Sequence, residues 1–320
     1  MPAIPTTTSA RLAATGTMTP FAQMWSGVRH GSLLPVAAIA AIILAVWYLA
    51  CLPMNRDLPQ LAHVDGLAER YQVAWSLERP LLPAPHQIAT DLFASTLGTP
   101  LLRETADGMV LNPRNLLTHA WVTVSATLTG FVIGLILGIA LAIAIVHINA
   151  LRMSLMPWIV ASQTIPILAI APIIIVALGS MGIVGLLPKA VISAYLSFFP
   201  VTIGMTKGFA SPDAMLLDLM RTYSASPTEI FLKLRWPAAI PMLFSSLKVS
   251  ISISLVGAIV GELPTGAQAG IGARLLSGSY YGQTVQIWSA LTMAAIMASL
   301  LIAVIALAER LTLNAMGARP

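Results

Sequence analysis

The sequence predicts an all-α polytopic membrane protein with six transmembrane helices. Hydrophobic residues make up 57% of the 320-residue chain and charged residues only 9%, whereas an ordinary soluble domain has about 25% charged residues. The mean hydropathy is +0.85, and six apolar runs are long enough, as helices, to cross a hydrocarbon core of about 30 Å. These observations exclude a soluble globular domain.

The first apolar run, 33–53, follows a tail of 32 residues that is rich in Thr, Ser and Ala. The run has 21 residues and is longer than the apolar region of a signal peptide, so we expect it to be the first span. It contains Cys51, the single cysteine of the chain, which excludes a disulfide framework and a cysteine-based metal cluster.

Residues 54–117 form a long polar segment between the first two apolar runs. Five arginines and seven acidic residues give this segment a net charge of −2 (5 − 7). Within it, the stretch 87–95 is amphipathic, with Ile88, Leu92 and Phe93 on one helical face. We therefore expect a helix there, outside the membrane.

The second apolar run, 118–148, carries Gly130, Gly134 and Gly138 at a spacing of four residues. In an apolar helix, this pattern of small residues lets another backbone approach closely. The pattern predicts helix packing, and it leaves open whether the neighbouring helix belongs to this chain or to a second copy.

Prolines interrupt the next two apolar runs. They are Pro157, Pro166 and Pro172 in the third run, 153–180, and Pro188 and Pro200 in the fourth, 182–208. Prolines within spans are tolerated where neighbouring helices or water satisfy the freed carbonyls. The pattern predicts either broken helices around a cavity near Gln163 and Thr164, or simple kinks that serve packing.

The fifth run, 242–263, carries polar side chains on an otherwise apolar helix. Ser250 and Ser254 share one face, which predicts either hydrogen bonds between helices or the lining of a translocation path. We expect Lys248 to extend toward the near membrane surface. Glu262, at the far end, is expected either at the membrane interface or at an outer gate.

A polar segment, 211–241, separates the fourth and fifth runs and contains two helix starts. Ser211-Pro212-Asp213 and Ser226-Pro227-Thr228-Glu229 each place a capping residue before a proline and an early carboxylate. We expect two short helices with a corner between them, and we expect Pro237 and Pro241 to end the second helix.

Both helices of this segment carry apolar faces. The apolar residues are Leu216, Leu219, Met220 and Tyr223 on the first helix, and Ile230, Phe231 and Leu234 on the second. A surface hairpin of this kind is typical of an element that docks into the groove of a partner protein. Composition alone equally allows a connector that packs on the protein's own membrane end.

The sixth run, 285–308, is followed by a charged tail, and an even number of spans puts both termini on one side of the membrane. The segments on that side hold nine Lys and Arg and four acidic residues, a net charge of +5 (9 − 4), against −2 for the segment 54–117. The positive-inside rule therefore predicts that both termini and the 211–241 loop are cytoplasmic.

No catalytic constellation is present in the sequence. The five histidines are scattered, and none pairs with a second metal ligand at a spacing of three or four residues. The glycines at 266–278 lack the Lys-Ser/Thr and the βαβ context of a phosphate loop. The basic residues behind the pI near 9.7 are not clustered, so they indicate topology and not nucleic-acid binding. We expect no enzymatic activity and no metal or cofactor site.

The polar loop carries the most specific pattern of the chain. Asp218-Leu219-Met220-Arg221-Thr222-Tyr223-Ser224-Ala225-Ser226 aligns without a gap with the signature Glu-Ala-Ala, three residues, Gly-Ala-Ser, and Trp236-Pro237-Ala238-Ala239-Ile240-Pro241 follows. The sequence therefore resembles the permease subunits of binding-protein-dependent ABC importers, specifically the nitrate/sulfonate/taurine-type branch. Asp218 replaces the signature glutamate, and Ser224 replaces its glycine.

The likeness extends over roughly residues 80–310. Further matches are Leu82-Pro83-Ala84-Pro85, Gly130-Phe131, Ile165-Pro166 with Pro172, Phe198-Phe199-Pro200 and Gly270-Ile271-Gly272. The family's arginine in the second span is Ala126 here, and its Arg-Pro before the Ile-Pro is Gln163-Thr164. The resemblance implies that the solute is a nitrate-, sulfonate- or taurine-like anion or another small organic nutrient, and these departures favour a less anionic one. Residues 54–80 look like an insertion.

The resemblance implies a type I ABC importer permease fold. Its parts would be a cytoplasmic tail 1–32, a first span 33–53, a periplasmic segment 54–117, a permease core 118–310 and a tail 311–320. The permease would work as a dimer, with a second copy or a paralogue, among the lipids of the bacterial inner membrane. A periplasmic solute-binding protein would deliver the solute, and two cytoplasmic ATPase subunits would bind ATP and Mg.

The resemblance also implies roles for individual residues. The ATPase subunits would grip the loop through Asp218, Arg221, Thr222, Tyr223, Ser224, Ala225, Ser226, Phe231, Leu234, Pro237 and Pro241. The translocation path would involve Gln163, Thr164, Pro166, Ser250, Ser254 and Glu262, whereas Gly130, Gly134 and Gly138 would serve helix packing.

Two other classes of function compete with an ABC permease. In a stand-alone secondary transporter or channel, the prolines and Glu262 would form an ion-coupled site, but the spans hold no pair of acidic residues and no obvious internal repeat. An integral-membrane enzyme would need a cluster of catalytic side chains, which the sequence lacks.

Overall fold

The computed structural model describes residues 33–105, 108–264 and 269–317. Five of its helices are long and apolar enough to cross a membrane, and a bent pair of helices forms a sixth candidate span. The five are α1 (Leu33–Asn55), α4 (Leu116–His147), α7 (Leu186–Phe209), α10 (Trp236–Glu262) and α12 (Thr284–Ala315). The prediction of an all-α protein with six spans is confirmed, and the expected tail 1–32 lies outside the described residues.

The bent pair consists of α5 (Asn149–Ser162) and α6 (Ile167–Ser180), which meet at 99°. Pro166 has no N–H, and a residue before proline avoids the helical conformation, so the chain leaves the helix between Ser162 and Ile167. The Tyr195 hydroxyl of α7 donates to the Ser162 carbonyl oxygen at 2.6 Å, which satisfies one of the carbonyls at the end of α5. The sequence allowed a break or a kink here, and the structure has a break.

Helices α4, α7 and α10 form the centre of the molecule. At one end, they enclose a buried cluster that includes Phe131, Met205, Phe209 and Phe244, with Ile302 of α12 packed against it. We call this end, which carries the 211–241 segment, the loop end. At the opposite end, a second cluster is built from other residues of α4, α10 and α12 with Ile271.

The glycine stripe of α4 packs against α7 of the same chain. A Cβ atom at Gly134 would lie 2.0 Å from Ser197 Oγ, and one at Gly130 would lie 2.4 Å from Ser193 Cβ. Gly138 is similarly close to Val201. The two helix backbones therefore approach closely along the whole stripe, and no larger side chain fits at these three positions.

The opposite end carries several short elements. They are a 3₁₀ turn (Pro59–Leu61), α2 (Leu67–Ser76), α3 (Pro85–Thr96), an antiparallel hairpin of β1 (Leu102–Thr105) and β2 (Gly108–Leu111), and α11 (Ile271–Tyr280). The amphipathic stretch 87–95 is helical, as expected. The other elements were not predicted, because each has at most 10 residues, fewer than the window of about 11–18 residues in which a periodic pattern can be recognised.

Among the described residues, helix α1 contacts the rest of the chain near its C-terminal end. Side chains from Pro35 to Val46 are exposed, whereas Trp47 packs against Trp288 at 4.9 Å and Asn55 is fully buried. The Asn55 side chain accepts from the backbone N–H of Leu81 and donates to the Leu82 carbonyl oxygen. Within the described part of the chain, the first span is therefore attached to the core through the opposite end.

The expectation that Pro237 and Pro241 end the second loop helix is wrong. Helix α9 (Pro227–Ile230), a π-helical turn (Phe231–Arg235) and α10 form one continuous helix up to Glu262. In a regular helix, the ring of Pro237 would clash with the carbonyl four residues earlier. The wider π turn precedes Pro237 and lets the helix continue.

Candidate functional site

The candidate site is the hairpin formed by α8 (Ala214–Thr222) and α9 at the loop end. Asp213 caps the start of α8, and its carboxylate accepts from the Met215 N–H at 3.4 Å. None of its residues is buried. Large apolar side chains are nevertheless present, and they are 43–77% exposed: Met215, Leu216, Leu219 and Tyr223. This set is called the α8 surface below.

The corner of the hairpin has a left-handed backbone. Ser224 has φ +53°, the only positive φ outside glycine in the described part of the chain. The N–H groups of Ser224 and Ala225 donate to the carbonyl oxygens of Arg221 and Met220 at 2.8 and 3.0 Å, which closes the end of α8. Ser224 stands where the family signature has glycine, and this conformation explains that glycine.

The second helix starts with the capping box that the sequence predicts. The Glu229 N–H donates to Ser226 Oγ at 3.3 Å, and the Ser226 N–H donates to the Glu229 carboxylate at 3.0 Å. Glu229 also pairs with Lys233 at 3.0 Å, and Asp218 pairs with Arg221 at 2.9 Å. All of these contacts are internal to the segment 218–233.

Phe231 attaches the hairpin to the membrane core. Its ring lies 5.1 Å from Phe209, 6.1 Å from Trp236 and 5.2 Å from His147 at the end of α4. Phe231 is half-buried, as is Leu234. Of the loop residues assigned from the sequence, Tyr223 is therefore exposed, whereas Phe231 packs against the core.

Thr222, Pro237 and Pro241, the other loop residues assigned from the sequence, lie within helices. Thr222 Oγ1 donates to the Asp218 carbonyl oxygen at 3.0 Å within α8. Pro237 lies in the first turn of α10, and Pro241 lies one turn further on.

A buried polar cluster joins four elements at the opposite end. Glu262 is fully buried, and its carboxylate accepts from Thr123 Oγ1 at 2.9 Å and from the Gly272 N–H at 2.7 Å. Lys189, itself buried, lies 3.9 Å away. Gly270 has φ +130°, and a Cβ atom there would lie 2.3 Å from the Glu262 carboxyl carbon, so only glycine fits.

His119 extends this cluster toward the outer segment. The Gly270 N–H donates to His119 Nδ1 at 3.0 Å, so Nε2 carries the proton and donates to the Pro113 carbonyl oxygen at 2.9 Å. Sequence reasoning missed the roles of Lys189, Thr123 and His119, because these residues lie 73 to 143 positions from Glu262 in the chain. The only signal available in the sequence was that these polar side chains lie within apolar runs.

The residues suggested for a translocation path fall into two groups. Ser250 and Ser254 are fully buried, and they donate to the carbonyl oxygens of Ser197 and Thr127 at 2.7 and 2.9 Å. They hold helices together in this conformation. Gln163, Thr164 and Pro166 lie at the break between α5 and α6, where Thr164 and Pro166 are exposed and Gln163 is half-buried.

Two further polar features surround the core. Lys248 pairs with Glu309, so α10 and α12 are joined by an ion pair near the loop end. At the opposite end, a cavity of about 330 Å³ is lined by Glu78, Arg79, Asp91 and the start of α12. Burial lowers the pKa of the nearby Arg274, and the Asp91 carboxylate partly opposes this effect.

Within residues 33–105, 108–264 and 269–317, no cluster of three or more His, Cys, Asp or Glu side chains could hold a metal ion. The arrangement is therefore that of a helical membrane core with a preformed surface hairpin at one end and a buried polar cluster at the other.

Comparison with known proteins agrees with this arrangement. The chain is 35% identical over 196 residues to the riboflavin transport system permease protein of Chloroflexus aurantiacus, covering 61% of this chain and 71% of that protein. It is 26% identical over 202 residues to the formylaminopyrimidine transport permease protein of Halalkalibacterium halodurans, covering 62% and 79%.

A third relative is named a probable ABC transporter permease protein of Haemophilus influenzae. It is 32% identical over 157 residues, and the match spans 49% of this chain and 62% of the relative. Residues 130–313 also match the family described as the binding-protein-dependent transport system inner membrane component. This match covers more than half of the chain and includes the hairpin and, of the buried cluster, Lys189, Glu262, Gly270 and Gly272. The chain belongs to this family, the inner membrane permease components of ABC importers.

Proposed function

We propose that this chain is the permease subunit of an ATP-driven importer, and that ATPase subunits dock on the α8 surface. The observation that carries this proposal is the α8 surface itself. Four large apolar side chains are exposed on a helix that also carries Asp218 and Arg221 and buries none of its residues. A helix of this composition outside the spans is stabilised when a partner's groove covers its apolar side.

The continuous helix from Pro227 to Glu262 offers a mechanical link from the docking site to the far end of the protein. Its 36 residues correspond to about 54 Å. Because Glu262 accepts from Gly272 and Thr123, a shift of the hairpin is transmitted to α11 and α4 at the opposite end. ATP would bias the two states of the permease through its different contacts in each state.

We propose that the solute passes near the break between α5 and α6. Non-helical backbone within a membrane is tolerated where it lines a cavity, and Gln163 and Thr164 supply polar side chains there. Ala126 and Gln163-Thr164 stand where the family pattern has arginines, and two relatives are named for riboflavin and formylaminopyrimidine transport. A small organic solute that carries little negative charge fits these features better than an inorganic anion.

The orientation and the partners belong to the same proposal. The charge difference between the two sides supports a cytoplasmic hairpin and cytoplasmic termini in the inner membrane. The opposite end would then face the periplasm and receive a solute-binding protein. A second permease copy or a paralogue would complete the path, because the bent pair exposes apolar side chains such as Leu168, Ile173 and Val176.

Uptake into proteoliposomes tests this proposal against a stand-alone secondary transporter or channel. The chain is reconstituted alone and together with its ATPase subunits and solute-binding protein, and riboflavin is the first labelled solute. We expect uptake only in the full complex with ATP. Uptake by the chain alone, with or without an ion gradient, would contradict the proposal.

A further inference from the structure

A small cavity lies beside the hairpin, between the end of α4 and the start of α9. Its volume is about 230 Å³, below the roughly 300–1,000 Å³ of typical small-molecule sites. Val146 and His147 of α4 form one wall, and Pro227, Ile230 and Phe231 form the other. His147 and Pro227 are exposed, so the cavity opens to the outside at the loop end.

Arg235 also lines the cavity, and its guanidinium has no carboxylate partner among the described residues. The other two cations of the hairpin have carboxylate partners, since Arg221 pairs with Asp218 and Lys233 pairs with Glu229. Arg235 is half-buried, and within the described part of the chain it has no ion pair. Its Nη1 donates to the Phe209 carbonyl oxygen at 3.3 Å, which uses one of five guanidinium N–H donors.

These features describe a site with apolar walls and one guanidinium. Methylene groups fit against Ile230, Phe231 and Val146, and a carboxylate fits against Arg235, which can bind it through two parallel hydrogen bonds. Because Arg235 is half-buried, its guanidinium attracts an anion in the cavity more strongly than it would in bulk water, where the higher dielectric constant screens the two charges. The volume suits one side chain.

We propose that this cavity receives an acidic side chain of the ATPase subunit, whose carboxylate pairs with Arg235. The inference rests on the proposed docking at the α8 surface, which lies on the same hairpin. The acidic side chain would contact α9 and the end of α4 together. It would therefore connect the ATPase to two spans at once, in addition to the apolar contacts on α8.

Binding of the ATPase subunit to the permease in nanodiscs of zwitterionic lipid tests this proposal. The ATPase subunit is purified from the same transport complex, and its Kd is measured at several salt concentrations. Arg235→Gln should weaken binding about tenfold or more and lower the dependence on salt. Arg235→Lys should recover part of the affinity, because it keeps the charge. Lys207→Gln is the matched control, because Lys207 is an exposed cation at the loop end outside the hairpin, and it should change the Kd less than about twofold.

The outcomes separate this inference from the proposed function. If Arg235→Gln binds with unchanged Kd and salt dependence while Tyr223→Glu does not bind, the cavity proposal fails and docking at α8 stands. If Tyr223→Glu also binds normally, the docking itself fails.

Two other results would also overturn the cavity proposal. Arg235→Gln could lower the thermal stability of the isolated permease and leave the salt dependence of binding unchanged, which would assign Arg235 to its bond with Phe209 alone. An effect seen only in nanodiscs with anionic lipid would assign the cavity to a lipid headgroup.

Discussion

Ser224 shows how one residue sets the form of the hairpin corner. Its φ of +53° lies in a region that costs a residue with a Cβ atom about 1–2 kcal/mol. A short polar side chain tolerates this conformation better than a branched one. The corner therefore depends on a residue that is either glycine or small and polar.

Substitutions at Ser224 test this dependence. Ser224→Gly should bind the ATPase subunit as well as the unmodified chain, because glycine adopts positive φ without strain. Ser224→Val should weaken binding, since a β-branched residue at positive φ is strained beyond the cost that serine already carries and the corner would have to distort. The measurement is the Kd in nanodiscs, and equal values for the two variants would show that the corner conformation does not matter.

Glu262 is the second residue with a defined structural consequence. Glu262→Ala would leave Lys189 buried without its carboxylate, which costs about 3–5 kcal/mol. Glu309→Ala is the matched control, because its pair with Lys248 is less buried (side chains of Glu309 and Lys248 21% and 35% exposed) and should contribute less.

The free energy of unfolding in mixed micelles measures both effects. Adding Lys189→Met to Glu262→Ala should restore part of the lost stability, because the unpaired charge is then removed. If Glu262→Ala is no more destabilising than Glu309→Ala, the cluster does not hold the opposite end together.

At the scale of single elements, the glycine stripe of α4 controls how closely α7 can approach. Gly134→Ala should destabilise the protein by about 1–3 kcal/mol, because the new Cβ atom would lie 2.0 Å from Ser197 Oγ. Gly179→Ala in α6 is the control, since no atom lies within 4 Å of that position.

Thermal unfolding of the two alanine variants in the same detergent is the measurement. We expect a lower midpoint for Gly134→Ala only. Helix propensity alone favours alanine over glycine, so a Gly179→Ala variant that is equally destabilised would mean that the loss at Gly134 does not come from packing against α7.

The π turn between α9 and α10 determines whether the hairpin moves together with its span. Leu232→Gly combined with Lys233→Gly should loosen this turn, because each glycine costs a helix about 1 kcal/mol relative to alanine. The solute transported per ATP hydrolysed should fall, while ATPase binding persists. The double alanine variant should transport normally, and an unchanged ratio for the glycine variant would argue against a rigid connection.

How far the elements could be predicted depended on the range of the interactions that form them. The helix starts at Asp213 and Ser226 were predictable, because the residues that cap a helix lie within four positions of one another in the sequence. The continuation through Pro237 was not, since proline ordinarily ends a helix and no local pattern marks the π turn that precedes it. The partners of Glu262 were unpredictable for the same reason, as α4 and α7 supply them from distant positions.

At the scale of the whole molecule, the two functional ends differ in how they are built. The loop end presents a hairpin that is held by its own caps and ion pairs and by the ring of Phe231. The opposite end is held by a buried carboxylate and by glycines that admit no side chain. The six spans and the family followed from composition and from the loop pattern, whereas the break of 99° between α5 and α6 required the structure.

The central claim is that the α8 surface, and not the core beneath it, binds the ATPase subunit. Tyr223 is 77% exposed, whereas Phe231 packs among Phe209, Trp236 and His147. Charged substitutions at these two positions should therefore have different consequences. The most direct measurement is co-purification of the ATPase subunit, together with the melting temperature of the permease alone.

We expect Tyr223→Glu to abolish co-purification and to leave the melting temperature unchanged, because no contact of the core is lost. Phe231→Glu should lower the melting temperature as well, because it removes a half-buried ring. Full co-purification of the ATPase subunit with Tyr223→Glu and with Leu219→Glu would contradict the account.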